Sequence, residues 1–242
     1  MTGDTSQPYE LTELRFHATL PRPCSYLEGR QAVSVFADPE ATLSQSLYDQ
    51  LARLGFRRSG SDLYRPACPG CTACVPVRVP LPYRRSRNQQ RIWNRNRNLQ
   101  CRILEPGFND EHFSLYRRYL RSRHAGGGMD ESTPEQYLDF LTSYWSETRF
   151  IEFRQDGALL GVAVTDYLRD ALSAVYTFFD PELSRRRSLG TFGILYQLEL
   201  AQELGLDWLY LGYWIEECRK MSYKSRFRPF EAMLNGRWTR ID

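Results

Sequence analysis

Lysine is almost absent from this chain. Of its 32 basic residues only Lys220 and Lys224 are lysines, four positions apart, against thirty arginines. Long apolar runs are absent as well. None reaches the ~18 residues that cross a bilayer as a helix, so no membrane span is expected. The first thirteen residues carry acidic side chains and no apolar stretch, so a secretory signal is not expected and the cytoplasm is the expected compartment. No Gly-x-Ser-x-Gly nucleophile elbow and no Walker phosphate loop occurs. His17, His112 and His124 do not fall at zinc spacing, and Gly126-Gly127-Gly128 reads as a loop because no strand precedes it. There is no internal repeat or low-complexity tract. A net charge of +3 is too small to mark a nucleic-acid binder by itself.

What is present is an ordinary globular composition, 42% hydrophobic and 25% charged over 242 residues, enough for a substantial core. Leu43, Leu47, Leu51 and Leu54 repeat at the spacing of one helix face, and Gly55 stops that helix. Short strands are read at 31–37, 63–65 and 75–79, and a helix at 86–99. Glu105-Pro106-Gly107 is a turn signal and is taken as the boundary between two parts, 1–104 and 105–242. Beyond it, helices are expected at 110–123 and 134–145, then strands at 149–154, 158–168 and 171–179. A helix at 191–204 and a strand at 207–213 follow. Helices, an antiparallel meander, then strand–helix–strand make an α+β layout.

Four constellations could carry chemistry. Residues 179–192 run from a strand end through Asp180-Pro181 and Arg185-Arg186-Arg187 to Gly190, which opens a helix whose free N–H groups favour an anion. Residues 213–229 bring together Tyr213, Tyr223, both lysines and three arginines, either as a reactive cradle or as a basic surface helix. Residues 84–102 hold Arg84, Arg85, Arg87, Arg91, Arg95, Arg97 and Arg102 with no acidic residue. On a helix Arg84, Arg87, Arg91 and Arg95 share one face, which suits a phosphate backbone or a solvated surface. Cys68-Pro69-Gly70-Cys71-Thr72-Ala73-Cys74 is a knuckle that could join Cys24 around zinc or an iron–sulfur cluster, or remain free thiols.

Arg187-Ser188-Leu189-Gly190-Thr191-Phe192 resembles the pyrophosphate-binding turn of GNAT acetyltransferases, with Phe192 in place of the second small residue. Tyr213-Trp214-Ile215 and the lysine segment resemble the aminoacyl-tRNA region of Fem-type aminoacyltransferases. Cys24-Ser25-Tyr26-Leu27, Gly55-Phe56-Arg57-Arg58-Ser59-Gly60, Tyr64-Arg65-Pro66 through Arg78, Leu168 to Leu195, and Tyr210-Leu211-Gly212-Tyr213-Trp214-Ile215 through Phe230 together resemble the arginyl-tRNA–protein transferase family over nearly the whole chain. Its short length and the CPGCTACVPVR and RHAGGGMD strings resemble the bacterial branch.

This resemblance implies an aminoacyltransferase that moves leucine from Leu-tRNA, or arginine from Arg-tRNA, to proteins with N-terminal Asp or Glu. The product would be degraded through the N-end rule pathway. It implies a GNAT-like mixed-sheet fold in the C-terminal half, with the smaller N-terminal half, read as α/β, as a second lobe of that kind. Lys224 with Tyr223 or Tyr213 would serve the ester, Arg186, Arg187, Gly190 and Thr191 the phosphates near the tRNA 3′ end, and Arg84, Arg87, Arg91 and Arg95 its stem. Arg78 would take the acceptor carboxylate. No cofactor is required. A metal at Cys24, Cys71 and Cys74 would follow from eukaryotic relatives. A coenzyme A-dependent acetyltransferase and a non-enzymatic tRNA-binding protein remain open alternatives.

Overall fold

A computed structural model describes residues 14–123 and 132–242, so His124 and the triple-glycine segment lie outside the described residues. In chain order the elements are β1 (Phe16–Ala18), β2 (Arg22–Pro23), β3 (Gln31–Ala32), β4 (Ser34–Ala37), α1 (Gln45–Arg53), β5 (Arg57–Ser59), β6 (Asp62–Pro66), β7 (Val75–Pro80), α2 (Arg87–Asn96), β8 (Gln100–Leu104), α3 (Asp110–Arg123) and α4 (Pro134–Leu141). Then come β9 (Thr148–Gln155), β10 (Ala158–Tyr167), β11 (Ala171–Phe179), α5 (Pro181–Arg187), α6 (Leu189–Glu203), β12 (Trp208–Trp214), a 3-10 helix (Ser222–Arg226), β13 (Phe230–Leu234) and β14 (Arg237–Ile241).

Local chemistry accounts for many of these boundaries. Ser44 caps α1 by accepting from the Leu47 amide, and the helix buries Leu47, Tyr48, Leu51 and Ala52. Reciprocal capping boxes open α2 (Ser86 with Gln89) and α4 (Thr133 with Gln136). The stretch read as a Pro-containing turn is itself helix α5. Asp180 accepts from the Glu182 and Leu183 amides, Pro181 fills the first turn, and Ser188 at φ +55° breaks the chain before α6.

Eight strands form one sheet in the order β14-β13-β7-β12-β11-β10-β9-β8. Every neighbouring pair is antiparallel except β11 with β12. An antiparallel meander, a helix, and a return parallel to the last meander strand make the GNAT-like mixed-sheet layout expected of the C-terminal half. The boundary at residue 105 does not divide the molecule. β7 pairs with β12 and β8 with β9, so two strands from the N-terminal half complete the C-terminal sheet. The N-terminal half also carries a smaller sheet of its own. Its sheet, β1-β4-β6-β5, is antiparallel throughout and lies beside α1. α1 packs Leu47, Tyr48 and Leu51 into one apolar cluster with Trp145, Ala171 and Tyr210 of the other half. Among the described residues no helix is long and apolar enough to cross a membrane.

β11 and β12 pair over three rungs only, Ala171–Trp208, Leu172–Leu209 and Ser173–Tyr210. Beyond them β11 runs on to Phe179 and β12 to Trp214 with no ladder between them. Each strand slips register on its other side just past that point, β11 between its partners Val164 and Thr165, β12 between Tyr210 and Gly212. Such bulges bend a strand and raise its local twist. The two strands therefore part into a wedge, and because they are parallel their carboxyl ends lie along the same edge, the usual side for a ligand crevice.

Candidate active site

Alternation along β5 sends Arg57 and Arg58 to opposite sides. Arg58 goes into the interior, where Nε and Nη2 each meet an Asp166 oxygen at 2.7 Å. Arg57 goes into the wedge. Its Nη2 donates to the carbonyls of Ala174 (2.9 Å) and Val175 (3.3 Å) on β11. The same guanidinium lies against Gly212 of β12, so closely that a Cβ there would sit 2.1 Å from Nη1. Gly212 also has φ +78°, where other residues are strained. Arg57 Nη1 is buried and has no hydrogen-bond partner among the described residues. One cation from the N-terminal half thus props the wedge open.

Lys224 stands beside it. The 3-10 helix after β12 turns this side chain inward until it is 6% exposed. Its Nζ donates to the Tyr213 carbonyl at 2.5 Å, and Met221 Sδ lies 3.8 Å away. Burial, and then the positive charge of Arg57, pull its pKa from the ordinary amine range to about 7. Near neutrality this amine is therefore divided between its charged and uncharged forms. The Tyr223 ring centre is 5.9 Å from Nζ, and Tyr223 keeps 37% of its surface exposed. Tyr213 serves differently from the expectation. Its hydroxyl donates to the carbonyls of Gly55 and Tyr64, 2.9 and 3.2 Å away, so the phenol ties β12 to the N-terminal half. What it offers Lys224 is its main-chain oxygen.

At the open end of the wedge Gly190 starts α6 against Phe179, where a Cβ would come within 2.9 Å of the ring. Phe179 packs on Tyr119, which in turn packs on Tyr176 further down β11. No side chain caps the first turn of α6, which includes Gly190 and Thr191. Arg186 is exposed, whereas Arg187 is tied down. Arg187 donates to Asn96, Asn98 and Gln155 and to the Arg95 carbonyl, holding α5 to α2 and β9. Arg95 is likewise engaged, through the Arg186 carbonyl at 2.7 Å. Among the described residues neither has a carboxylate partner, so both keep their charge near the Gly190 turn. Arg84, Arg87 and Arg91 are exposed along α2 and its approach. Trp93 is a packing residue, against Phe192 with Arg85 laid over its ring at 3.7 Å.

The settings of Arg78 and of the cysteines bear on two further expectations. Arg78 is 8% exposed, its Nε is 2.6 Å from Glu231, and its guanidinium lies between the Trp208 and Trp238 rings at 4.0 and 4.3 Å. A cation already neutralised and enclosed on both faces is not open to an acceptor carboxylate. The cysteines lie near one another, the Cys74 thiol feeling Cys68, Cys24 and Cys71, yet each has its own contacts. Cys71 accepts from Arg30 and Cys68 from the Val33 amide, while Cys24 and Cys74 pack with Leu27, Ile215, Cys218 and Met221. Burial, and then the neighbouring Cys68, Cys24 and Cys71 thiols, push the Cys74 thiol up to about 11. Among the described residues no group of three or more His, Cys, Asp or Glu side chains is placed to hold a metal ion.

Arg57 carried no role in the sequence reading. An Arg-Arg pair on a short strand has no local signal that one member enters a cleft made by strands more than a hundred residues later.

Residues 22–91 match the family model described as arginine-tRNA-protein transferase, N terminus, and residues 111–234 match the one for its C terminus. The chain is similar to the aspartate/glutamate leucyltransferase of Hahella chejuensis, at 50% identity over 96% of this chain and 99% of that protein. It is similar to the protein of the same name from Chromohalobacter salexigens, at 51% identity over 98% and 97% of the two chains. A solved structure of L-PGS from Bacillus licheniformis overlays 69% of this chain on 49% of its own, with 13% identity and a TM-score of 0.45, too loosely to bear on function.

Proposed function

As this chain belongs to the arginine-tRNA–protein transferase family, we propose that it moves leucine from Leu-tRNA to the N-terminal Asp or Glu of acceptor proteins, marking them for N-end rule degradation. The similarity to aspartate/glutamate leucyltransferases over almost the full length of both chains carries this reading. The wedge supports it chemically. In the reaction the acceptor's α-amine attacks the leucyl ester carbonyl, a C–N bond forms, the C–O bond to the terminal ribose breaks, and one proton passes from the nitrogen to the ribose oxygen. Lys224, part neutral near pH 7, is suited to accept that proton and return it. Tyr223, partly exposed beside it, borders the ester. Placement of the two ends supplies much of the remaining rate.

The choice of leucine over arginine has its own support. Arg57 and Lys224 face the wedge, and among the described residues neither has a carboxylate bonded to it. A cationic donor side chain would be repelled there. Arg186, with the Gly190 turn, would meet phosphate near the tRNA 3′ end, and Arg84, Arg87 and Arg91 its backbone further away.

The test pairs Leu-tRNA or Arg-tRNA with peptides beginning in Asp, Glu, Gln or Ala. Transfer is expected from Leu-tRNA to the two acidic peptides. Transfer from Arg-tRNA alone, or to the Ala peptide equally well, would overturn the reading.

A further inference from the structure

Among the described residues Arg57 is a cation without a counter-ion. Its hydrogen bonds go to two carbonyls, and Nη1 makes none. The ionisable groups that feel its charge include four phenols, Tyr26, Tyr48, Tyr213 and Tyr223, and one amine, Lys224. Enclosing an uncompensated charge is costly, and the arrangement becomes favourable when an anion arrives.

The position selects which anion. Arg57 is anchored at Ala174 and Val175, just past the last rung Ser173–Tyr210, at the vertex of the wedge. The Gly190 turn lies at the other end of β11, against Phe179. Four residues of strand separate Val175 from Phe179, roughly 13 Å. Phosphates held at the mouth therefore do not reach the vertex. The groups that do reach it, on the leucyl-transfer reading, are the donor ester with its apolar side chain and the acceptor's first residue. Only the acceptor's side chain is negatively charged.

We propose that Arg57 is the residue that selects the acceptor, its guanidinium receiving the side-chain carboxylate of an N-terminal Asp or Glu at the vertex of the β11–β12 wedge. Arginine's planar fork suits a carboxylate, and two of its nitrogens are already fixed against β11 and Gly212. Gly212 belongs to the same device, because any side chain there would take the guanidinium's place. Nη1 is closed off in this state, so the acceptor displaces a neighbour on entry. Tyr26 and Tyr223, 43% and 37% exposed, are the partly exposed phenols among those that feel its charge.

The proposal rests on the transfer reading, and the experiment separates the two. Leucyl transfer is measured on otherwise identical peptides beginning in Asp or Asn, with calorimetric binding of both peptides alongside. The enzymes compared are wild type, Arg57→Gln, Arg57→Lys and Gly212→Ala. Arg57→Gln is expected to shrink the Asp-over-Asn ratio of kcat/KM by roughly a hundredfold and to leave the affinity for Leu-tRNA unchanged, any loss common to both peptides reporting the effect of Arg57 on Lys224 and on the wedge. Gly212→Ala should likewise abolish the preference for Asp. Arg57→Lys, which keeps the charge, should retain part of it, and it decides the matter should the Gln variant fail to fold. Equal losses for both peptides, leaving the ratio unchanged, or a loss confined to Leu-tRNA binding, would overturn the proposal. If wild type transfers no leucine at all, the transfer reading fails, and the calorimetric Asp-over-Asn preference with its dependence on Arg57 still decides the carboxylate site.

Discussion

Arg58 and Asp166 meet with both side chains wholly enclosed, the guanidinium from β5 forked onto the carboxylate from β10. Thr148 and Tyr48 complete the carboxylate's shell, and the Leu141 carbonyl takes a further guanidinium hydrogen. The pair joins the two halves of the chain at a point behind the wedge, so Arg57 on the same strand is positioned by the same contact. Removing one partner leaves a buried charge unpaired. Arg58→Ala is therefore expected to destabilise the fold by about 3–5 kcal/mol, measured by denaturant unfolding. A loss under about 1 kcal/mol would show that the pair does not hold the halves together.

Lys224→Ala is expected to lower kcat by roughly 10²–10⁴-fold while leaving Leu-tRNA affinity within about twofold. The sign of the pH dependence follows from the role. A proton acceptor must be neutral, and the neutral fraction of Lys224 grows as pH rises through about 7. The wild-type kcat should rise along a limb with that midpoint, and Lys224→Ala should lack the limb. Parallel losses in turnover and tRNA affinity would place Lys224 in binding instead.

The exposed arginines of the α2 region should govern salt dependence. Replacing Arg87 and Arg91 together by Glu is expected to flatten the slope of log affinity for Leu-tRNA against log salt by roughly 2, since each phosphate neutralised by an arginine adds about 0.9 to it. Transfer at saturating Leu-tRNA should change little. An unchanged slope would put the tRNA on another face.

Glu152 offers a test at acid pH. Arg154's hydrogen bond, and then that of His112 at 2.7 Å, hold its pKa down at about 2. A depressed carboxylate contributes its stability in full above its unfolded value of about 4.3 and loses it as pH falls toward 2. Wild type should exceed Glu152→Gln in unfolding free energy at pH 6, and the gap should shrink to roughly a quarter of that value by pH 2.5. A gap that stayed constant would show that the charge on Glu152 contributes nothing.

Much of this protein was written locally. The Leu47–Leu51 spacing, the Ser86 and Thr133 caps, and the short apolar runs of β9 to β11 act over a few residues, so α1, α2, α4 and the meander are legible in order along the chain. Lys224 could be singled out as well, because a lysine among arginines is conspicuous without any structure. What tertiary structure alone decided was which charges are left without partners. Arg78 looked open to a ligand until β13, β12 and β14 brought Glu231, Trp208 and Trp238 around it, 130 to 160 residues downstream. Arg187 was turned onto the neutral side chains of Asn98 and Gln155 and keeps its charge. Arg57, unremarkable on its short strand, was carried into a wedge that exists only because two parallel strands bulge apart after three rungs. Helix and strand periods arise from neighbours in sequence. Whether a cation is neutralised depends on what the fold places within a few ångströms of it, and no local spacing encodes that.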